Sequence, residues 1–340
     1  MASSETAQES ELGSDGLFVW GRGGDGQLGL GDNLDQHVPV RPAALKGMRI
    51  ISIACGGKHT AAVTETGDVL TWGWNWSGQL GHGDTVDHYL PSVVKPLALA
   101  QRLQKKRFVQ ITVVVDDAGE VYAWGASVTG TGAEKHDLAP KLVLTLHSKR
   151  VTKVACGSGH TLALTQDGSV FTWGRASNGR LGLGLNQPEI VALPQKIKEL
   201  SKQVVTDIAC GWSHSLCIVG STGELFTWGK GQDGQLGHGM CLDVCEPKRV
   251  ESLFKEGAVV SFASGGYFHS AAVSSDGRLF TWGFGEYGQL GHSSTANELL
   301  PRRVEALSDT FIVRVACGGT HSLAVDVNGV KWVGTYDGLT

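Results

Sequence analysis

The stretch Val69–Gly81, VLTWGWNWSGQLG, joins an apolar strand-like run to a glycine-rich turn, and its two markers return along the whole chain. Trp-Gly, the first marker, lies at Trp20, Trp72, Trp124, Trp173, Trp228 and Trp282, with a variant at Trp332-Val333-Gly334. Consecutive copies are 49 to 55 residues apart. A fixed period of this length indicates an internal structural repeat.

Two further markers keep the same period. Gly-Gln-Leu-Gly or a close variant follows Trp-Gly at residues 26–29, 78–81, 179–182, 234–237 and 288–291. Ala-Cys-Gly-x-x-His begins at residues 54, 155, 209 and 316, and a looser copy, Ser-Gly-Gly-Tyr-Phe-His-Ser, covers 264–270. These motifs place an equivalent histidine in five repeats, at His59, His160, His214, His269 and His321.

Each period supplies several short strand-like runs. In the second period the runs cover residues 49–54, 60–64, 68–72 and 91–94, and turn-forming Gly, Asp or Asn residues separate them. Four strands in about 50 residues, repeated along the chain, are typical of propeller blades. The sequence therefore predicts an all-β fold, a β-propeller of four-stranded blades. A single sheet would leave both faces exposed, so stacking blades around an axis buries them.

The repeated Trp and His residues are predicted to be structural. Each Trp of Trp-Gly is expected to pack between blades. Each His is expected to be buried and to hydrogen-bond nearby backbone at the start of a strand. A metal site needs three or four converging ligands, whereas one His per blade is spread around a ring. The sequence therefore predicts no metal site.

The composition argues against several classes of protein. Glycine is abundant, 48 residues of 340, and the formal net charge is −4. Lys105-Lys106-Arg107 is too short to be a nucleic-acid surface, so no direct nucleic-acid binding is expected. No apolar run approaches a membrane span, and the odd count of seven cysteines without a signal peptide favours the cytoplasm or nucleus. Residues 1–16 are predicted to be a flexible acidic tail, and 17–340 one propeller domain.

Glycine patterns that resemble dinucleotide-binding fingerprints occur in step with the repeat. G-x-G-x-x-G appears at residues 21–26, 229–234 and 283–288. A dinucleotide site also needs a helix directly after the glycines, to hold the pyrophosphate. Here a further glycine-rich turn follows instead. The three copies are interpreted as turns, and no cofactor is expected.

The combined repeat resembles that of the regulator of chromosome condensation family. Val-x-x-Trp-Gly, Gly-Gln-Leu-Gly-x-Gly-Asp, a Pro-led strand, Ala-Cys-Gly-x-x-His-Thr and Thr-x-Asp-Gly follow one another over roughly residues 17–334. The resemblance implies a seven-bladed propeller. It also implies three kinds of role: guanine-nucleotide exchange on small GTPases, UV-B sensing in a plant branch, or protein binding as an interaction module.

Two irregularities depart from the family pattern. In the third repeat, residues 106–111 lead directly into 112–115 without the His-bearing segment, and residues 126–132 replace Gly-Gln-Leu-Gly. Only about six complete repeats fit between residues 17 and 334. We expect either a ring with a reduced seventh blade or a ring of six. Residues 18–21 and 331–334 are both candidates to close the seam.

The favoured function is a non-enzymatic protein-interaction propeller without catalytic residues. The alternative is guanine-nucleotide exchange on a small GTPase. UV-B sensing is less favoured, because the resemblance requires Gly-Trp-Arg-His-Thr in three blades, and here only Trp212 keeps the Trp, without the Arg. Propeller loops present binding residues on a rigid scaffold, and exposed aromatics are frequent anchors. The candidate anchors are Trp76, Trp212, Tyr267, Phe284 and Tyr287.

Overall fold

The computed structural model describes residues 17–95, 111–126, 128–133, 135–220, 222–335 and 338–339. These residues form seven antiparallel sheets, of which five have four strands, one has three and one has two. In every sheet the strands neighbour one another in chain order. The predicted all-β propeller is confirmed. The proposed tail, residues 1–16, and the basic run at 105–107 lie outside the described residues.

The sheets are numbered here as blades, in chain order. Blade 1 pairs β1 (Val19–Gly21) with β2 (Gln36–Val40). Blade 2 contains β3 (Ile50–Cys55), β4 (His59–Thr64), β5 (Val69–Gly73) and β6 (His88–Val93). Blade 3 contains β7 (Ile111–Val115), β8 (Val121–Gly125) and β9 (Asp137–Leu142). Blade 4 contains β10 (Val151–Cys156), β11 (His160–Thr165), β12 (Val170–Arg175) and β13 (Ile190–Lys196).

The later blades follow the same plan. Blade 5 contains β14 (Val205–Cys210), β15 (His214–Val219), β16 (Glu224–Gly229) and β17 (Val244–Arg249). Blade 6 contains β18 (Val260–Gly265), β19 (His269–Ser274), β20 (Leu279–Gly283) and β21 (Glu298–Arg303). Blade 7 contains β22 (Ile312–Cys317), β23 (Ser322–Asp326), β24 (Lys331–Thr335) and β25 (Gly338–Leu339).

Short helical turns connect or interrupt the strands. One α-helix, α1 (Glu251–Lys255), follows β17. The 3₁₀ turns lie at Ala43–Leu45, Leu144–Leu146, Ser177–Gly179, Lys198–Leu200 and Glu305–Leu307. Most of them bury one leucine under the outer strand of a blade.

The second strands of blades 2, 4, 5 and 6 are buried throughout, since sheets pack on both of their faces. All six residues are buried in each of β4, β11, β15 and β19, whereas β23 of blade 7 is only partly buried. The first strands of blades 4, 5 and 7 meet at the centre of the ring, where Cys156 of β10, Cys210 of β14 and Cys317 of β22 line one shared cavity. The four strand-like runs predicted for the second period match β3 to β6 to within a few residues.

A repeated set of four groups joins one blade to the next, and we call it the junction clasp. At the junction of blades 5 and 6, the Trp282 indole N–H and the Ser270 hydroxyl of blade 6 both donate to the Gln235 carbonyl of blade 5, each at 2.8 Å. Nε2 of His214 in blade 5 lies 2.8 Å from the same Ser270 hydroxyl. The clasp therefore ties the second and third strands of one blade to a loop and a histidine of the preceding blade.

The same clasp forms at two other junctions. Between blades 2 and 3 it consists of His59, Thr112, Gln79 and Trp124. Between blades 4 and 5 it consists of His160, Ser215, Arg180 and Trp228. His59, His160, His214 and His269 are buried, and Nε2 of each lies within hydrogen-bond distance of a hydroxyl of the following blade. His321 differs, because it is exposed.

Blade 3 breaks the pattern, as its sequence predicts. Ile111 stands opposite Gly125, the position that His59 occupies opposite Gly73 in blade 2. An isoleucine cannot donate to Thr161 of blade 4. The Trp173 indole nitrogen is buried without a hydrogen-bond partner in the described structure. Of the clasp, the junction between blades 3 and 4 keeps the packing of Trp173 against Gly130.

Two of the repeated tryptophans do not occupy the expected place. Trp72, Trp124, Trp173, Trp228 and Trp282 are fully buried between blades. Trp20 is 58% exposed, because blade 1 has only its two outer strands in the described structure. Trp332 stands opposite Ala324, the position of Phe280 opposite Ala272, so Trp332-Val333-Gly334 is not a Trp-Gly copy in register.

Candidate interaction face

Two sets of loops lie on one face of the propeller. In an antiparallel sheet with strands in chain order, the connection from first to second strand and the one from third to fourth strand leave the same end. The Gly-x-x-His turns and the Trp-Gly loops therefore share this face, which we call the loop face. All five candidate anchors lie in these turns: Trp76, Trp212, Tyr267, Phe284 and Tyr287.

Four of the five candidates form one continuous row of rings. The ring centroids of Trp212 and Tyr267 are 4.5 Å apart. Tyr267 contacts Phe268 at 6.2 Å, Phe268 contacts Phe284 at 6.1 Å, and Phe284 contacts Tyr287 at 5.9 Å. These spacings lie in the range of tilted and edge-to-face aromatic pairs. We call the five residues the aromatic ladder, and it crosses blades 5 and 6.

Phe268 belongs to the ladder although the sequence did not single it out. It lies directly before His269 in the looser motif of blade 6, at the position that Lys58 occupies before His59 in blade 2. Its place directly after the candidate Tyr267 was the signal in the sequence. Lys230 lies over its ring, with Nζ 4.9 Å from the centroid, and also pairs with Asp233 at 3.0 Å. The ladder thus has a cation beside its middle ring.

Trp76 lies apart from the ladder, in blade 2. It is 72% exposed, and its ring contacts Trp74 at a centroid distance of 6.0 Å. Lys58 lies over Trp74 at 5.2 Å and pairs with Asp25 of blade 1 at 3.1 Å. The loop face therefore carries two aromatic groups, each with an adjacent lysine and carboxylate.

Backbone hydrogen bonds between blades hold the ladder in place. The amide of Trp212 donates to Gly266 O at 2.9 Å, and the amide of Tyr267 donates to Gly318 O at 3.1 Å. The amide of Tyr287 donates to Oε1 of Gln289 at 2.9 Å. Trp212 and Tyr267 are thereby anchored to the following blade, and Tyr287 to its own loop. A preorganised surface loses little conformational entropy when a partner binds.

The layer beneath the ladder is uncharged near neutral pH. Burial, with a smaller contribution from the neighbouring His269, lowers the pKa of His214 to about 3. Burial and the nearby His321 likewise lower the pKa of His269 to about 4. The ladder's recognition chemistry therefore comes from its rings and surface ions, and not from titration of these histidines at physiological pH.

The ladder borders a cavity at the centre of the ring. Its volume is about 200 Å³, and Trp212 and Tyr267 line its edge. Its wall includes Cys156, Cys210 and Cys317 from the first strands. Within the described ranges, no three His, Cys, Asp or Glu side chains are grouped as a metal site would require. The arrangement is that of a rigid aromatic surface.

The glycine fingerprints are turns in the structure. Gly229 ends β16 and Gly283 ends β20, and the next regular elements along the described chain are the strands β17 and β21. The model of the RCC1-like domain family matches residues 16–335. The chain belongs to the RCC1-like domain family. This membership confirms the resemblance inferred from the repeat.

Curated relatives of several kinds share the domain. The ultraviolet-B receptor UVR8 of Arabidopsis thaliana is 36% identical over 318 residues, which is 92% of this chain and 71% of UVR8. The human E3 ubiquitin-protein ligase HERC2 is also 36% identical, over 91% of this chain but only 5% of HERC2. RUG3, a mitochondrial RCC1 domain-containing protein of A. thaliana, is 32% identical over 93% of this chain and 60% of RUG3.

Solved structures show the same fold. Human WBSCR16 superposes with a TM-score of 0.80 at 25% identity, covering 91% of this chain and 81% of that structure. Prp20p of Saccharomyces cerevisiae, described with its binding to Gsp1p and histones, superposes with a TM-score of 0.81 at 26% identity, covering 94% and 80%. Among the residues described, no helix is long and apolar enough to cross a membrane.

Proposed function

We propose that this RCC1-like propeller is a non-enzymatic protein-interaction module that binds a partner protein through its loop face. The observation that carries the proposal is the aromatic ladder, five rings in unbroken contact across two blades. Aromatic residues in rigid, partly buried positions dominate the energy of many protein interfaces. No direct binding of nucleic acid or membrane is part of this proposal.

The residues of the aromatic ladder differ in solvent exposure along the row. Tyr287 is 49% exposed at its outer end, whereas Trp212 and Tyr267 are half-buried beside the central cavity. Lys230 and Asp233 flank the middle of the row. A partner that presents apolar side chains beside a carboxylate fits this pattern, because the carboxylate would meet Lys230 at the rim.

Guanine-nucleotide exchange on a small GTPase is the second candidate. The likeness to Prp20p, which is described with its binding to Gsp1p, supports it. The exchange of nucleotide requires contact with the GTPase near its nucleotide site, and the loop face would supply that contact. UV-B reception is less favoured despite the similarity to UVR8, since Ser213 follows Trp212 where the resemblance requires Arg.

One pair of measurements separates the two candidates. Release of a fluorescent guanine nucleotide from a panel of small GTPases is followed with and without the purified protein. The interaction-module proposal expects unchanged release for every GTPase, and acceleration of any one would replace it with exchange activity. A UV-B-dependent change of oligomeric state on size exclusion would instead support the photoreceptor candidate.

The role of the ladder is tested with matched variants. Phe284→Ala and Tyr287→Ala should each weaken binding of an identified partner at least about tenfold, the usual loss at an interface hot spot. Phe254→Ala is the control, because Phe254 is a 50% exposed aromatic in α1, which connects blades 5 and 6 on the opposite face. Equal loss in all three variants would contradict a ladder-centred interface.

A further inference from the structure

One Trp-Gly loop on the loop face carries two arginines and no carboxylate. In residues 174–182 of blade 4 the charged side chains are Arg175 and Arg180. The corresponding stretches of blades 2 and 3 have no charged residue, and that of blade 6 has one glutamate. In blades 1 and 5 one cation pairs with one aspartate: Arg22 with Asp25 at 3.7 Å, and Lys230 with Asp233 at 3.0 Å. Blade 4 therefore has an excess of positive charge at this position of the repeat.

Two differences in residue type produce this excess. Asn178 stands where blades 1 and 5 have the aspartate, and Arg180 stands where blades 1, 2, 5 and 6 have glutamine. In those four blades the glutamine Oε1 accepts the amide hydrogen of the residue two positions earlier, at 2.8 to 2.9 Å. Three of these glutamines are at most 1% exposed: Gln79, Gln235 and Gln289. Arg180 thus places a guanidinium where the other blades hold a neutral amide.

The Arg180 guanidinium is buried among uncharged oxygens. It is 7% exposed. Its Nε donates to Ser177 O at 2.8 Å, and its terminal nitrogens donate to Ser158 O at 3.1 Å and to Oδ1 of Asn178 at 3.0 Å. Nδ2 of Asn178 donates to Oδ2 of Asp243 at 2.8 Å, so this carboxylate is linked to Arg180 through an amide. A guanidinium has five N–H groups, so two of them have no bond to the residues that the structure describes.

The charge of Arg180 is destabilised in these surroundings. Burial, followed by the nearby Arg175, lowers the pKa of Arg180, and Asp243 opposes this effect. Arg175 is exposed, and its side chain forms no ion pair with the described part of the chain. A buried charge without a bonded counter-ion is unfavourable, and a neighbouring like charge adds to that cost. An anion beside the two guanidiniums would offset both effects.

The two arginines lie next to the aromatic ladder. Ser158 O accepts the bond from Arg180, and the amide of Ser158 donates to the carbonyl of Trp212, the first residue of the ladder, at 2.7 Å. The amide of Arg175 donates to Gly159 O at 2.6 Å, and a Cβ on Gly159 would lie 3.0 Å from Cδ of Arg175. Both arginines therefore contact the Gly-x-x-His turn of blade 4, and a partner bound to the ladder would reach them at its edge.

We propose that Arg175 and Arg180 form an anion subsite that binds an acidic side chain of the partner protein, a carboxylate or a phosphate. We call this pair the arginine subsite. The proposal rests on the interaction-module function proposed above and adds the chemistry of the partner. An acidic group at Lys230 shares that cation with Asp233, whereas neither arginine is ion-paired within the described ranges. Guanidinium groups also match the planar geometry of a carboxylate and the oxygens of a phosphate.

Anion binding is measured first without a partner. The midpoint of thermal unfolding is compared in sodium phosphate and in sodium chloride of equal ionic strength, because a ligand that binds only the folded state stabilises it. Phosphate should raise the midpoint of the wild type, and Arg175→Ala and Arg180→Gln should lose most of that gain. Arg180→Gln introduces the residue of four other blades. Arg22→Ala is the matched control and should keep the gain, since Arg22 already pairs with Asp25.

Labelled peptides then identify the acidic group by fluorescence anisotropy. Three peptides have the same leucines and differ only in carrying glutamate, phosphoserine or glutamine between them. One charge-assisted contact corresponds to about tenfold in affinity, so the wild type should bind the glutamate or the phosphoserine peptide about tenfold more tightly than the glutamine peptide. Arg180→Gln should lose this preference. Asn178→Asp should lose it too, because it places a carboxylate beside Arg180 while both arginines remain.

The outcomes separate the arginine subsite from the ladder. Tyr287→Ala should weaken binding of all three peptides and keep the preference for the acidic ones. The arginine subsite is overturned if the wild type shows no acidic preference or if the preference survives in Arg180→Gln, and the ladder could still bind a partner. A phosphate gain without acidic preference would show binding of a free ion only and would also overturn it. An intact preference with unchanged affinities in Tyr287→Ala would instead contradict the ladder-centred function.

Discussion

Nε2 of His214 in blade 5 lies 2.8 Å from Oγ of Ser270 in blade 6. The Ser270 hydroxyl already donates its proton to Gln235 O, so Nε2 must be the donor in the contact with His214. Because burial lowers the pKa of His214 to about 3, the imidazole is neutral near pH 7 with its proton on Nε2, and Nδ1 is buried without a partner among the described residues. A second proton on Nδ1 would place a buried charge between two blades, at a large cost.

Stability should fall on mild acidification. Burial, with a smaller effect of nearby charged groups, lowers the pKa of His160 and His214, the latter to about 3. Below pH 6.5 His160 and His214 bind protons in the unfolded chain but stay neutral in the folded chain. The free energy of unfolding therefore decreases as the pH falls. Each such histidine should cost about 2 kcal/mol between pH 7 and pH 5. Urea unfolding at the two pH values measures the difference.

A glutamine at position 214 should reduce this dependence. His214→Gln keeps a donor near Ser270 but cannot take up a proton, so the loss of stability from pH 7 to pH 5 should shrink by about 2 kcal/mol. The variant should be less stable than wild type at pH 7, since the amide fits the site less well. His37→Gln is the control, because His37 is exposed. An unchanged pH dependence in His214→Gln would refute the assignment.

The hydroxyl at position 270 should matter through its two hydrogen bonds. Ser270→Ala leaves the His214 N–H without its acceptor and removes a donor to Gln235 O, which should cost about 1–3 kcal/mol of unfolding free energy. Ser270→Thr is the matched control, because Thr112 fills the same position between blades 2 and 3. Chemical denaturation of the three proteins is the measurement. Equal destabilisation by Ala and Thr would show that packing alone matters here.

Two buried tryptophans should respond differently to the same substitution. The Trp228 indole donates to Arg180 O at 3.1 Å, whereas the Trp173 indole nitrogen has no partner in the described structure. Both rings are fully buried, so Trp→Phe removes similar volume at each site. Trp228→Phe should therefore cost about 1 kcal/mol more than Trp173→Phe, the typical net value of one hydrogen bond. A larger loss for Trp173→Phe in denaturant unfolding would contradict this account.

The sequence predicted the repeat well and the junctions poorly, for a physical reason. Strand positions and the irregular blade follow from local patterns, because turns and alternating apolar residues are properties of short segments. The hydroxyl partners of the histidines lie 53 to 56 residues away in the chain, beyond any local pattern. The exposure of Trp20 and the register of Trp332 likewise depend on which strands meet at the seam. Contact between Trp212 and Tyr267 also required the three-dimensional arrangement.

The glycines of Gly-Gln-Leu-Gly should be intolerant of any side chain, for reasons beyond backbone conformation. Gly182 has φ +68°, and a Cβ there would lie 2.7 Å from Nε1 of Trp228. Gly47 has φ +80° with nothing within 4 Å of a Cβ. Gly47→Ala should cost only the conformational term, about 1–2 kcal/mol. Gly182→Ala should cost at least about 2 kcal/mol more, since overpacking displaces the buried indole. Similar unfolding free energies for the two variants would show that Trp228 moves aside freely.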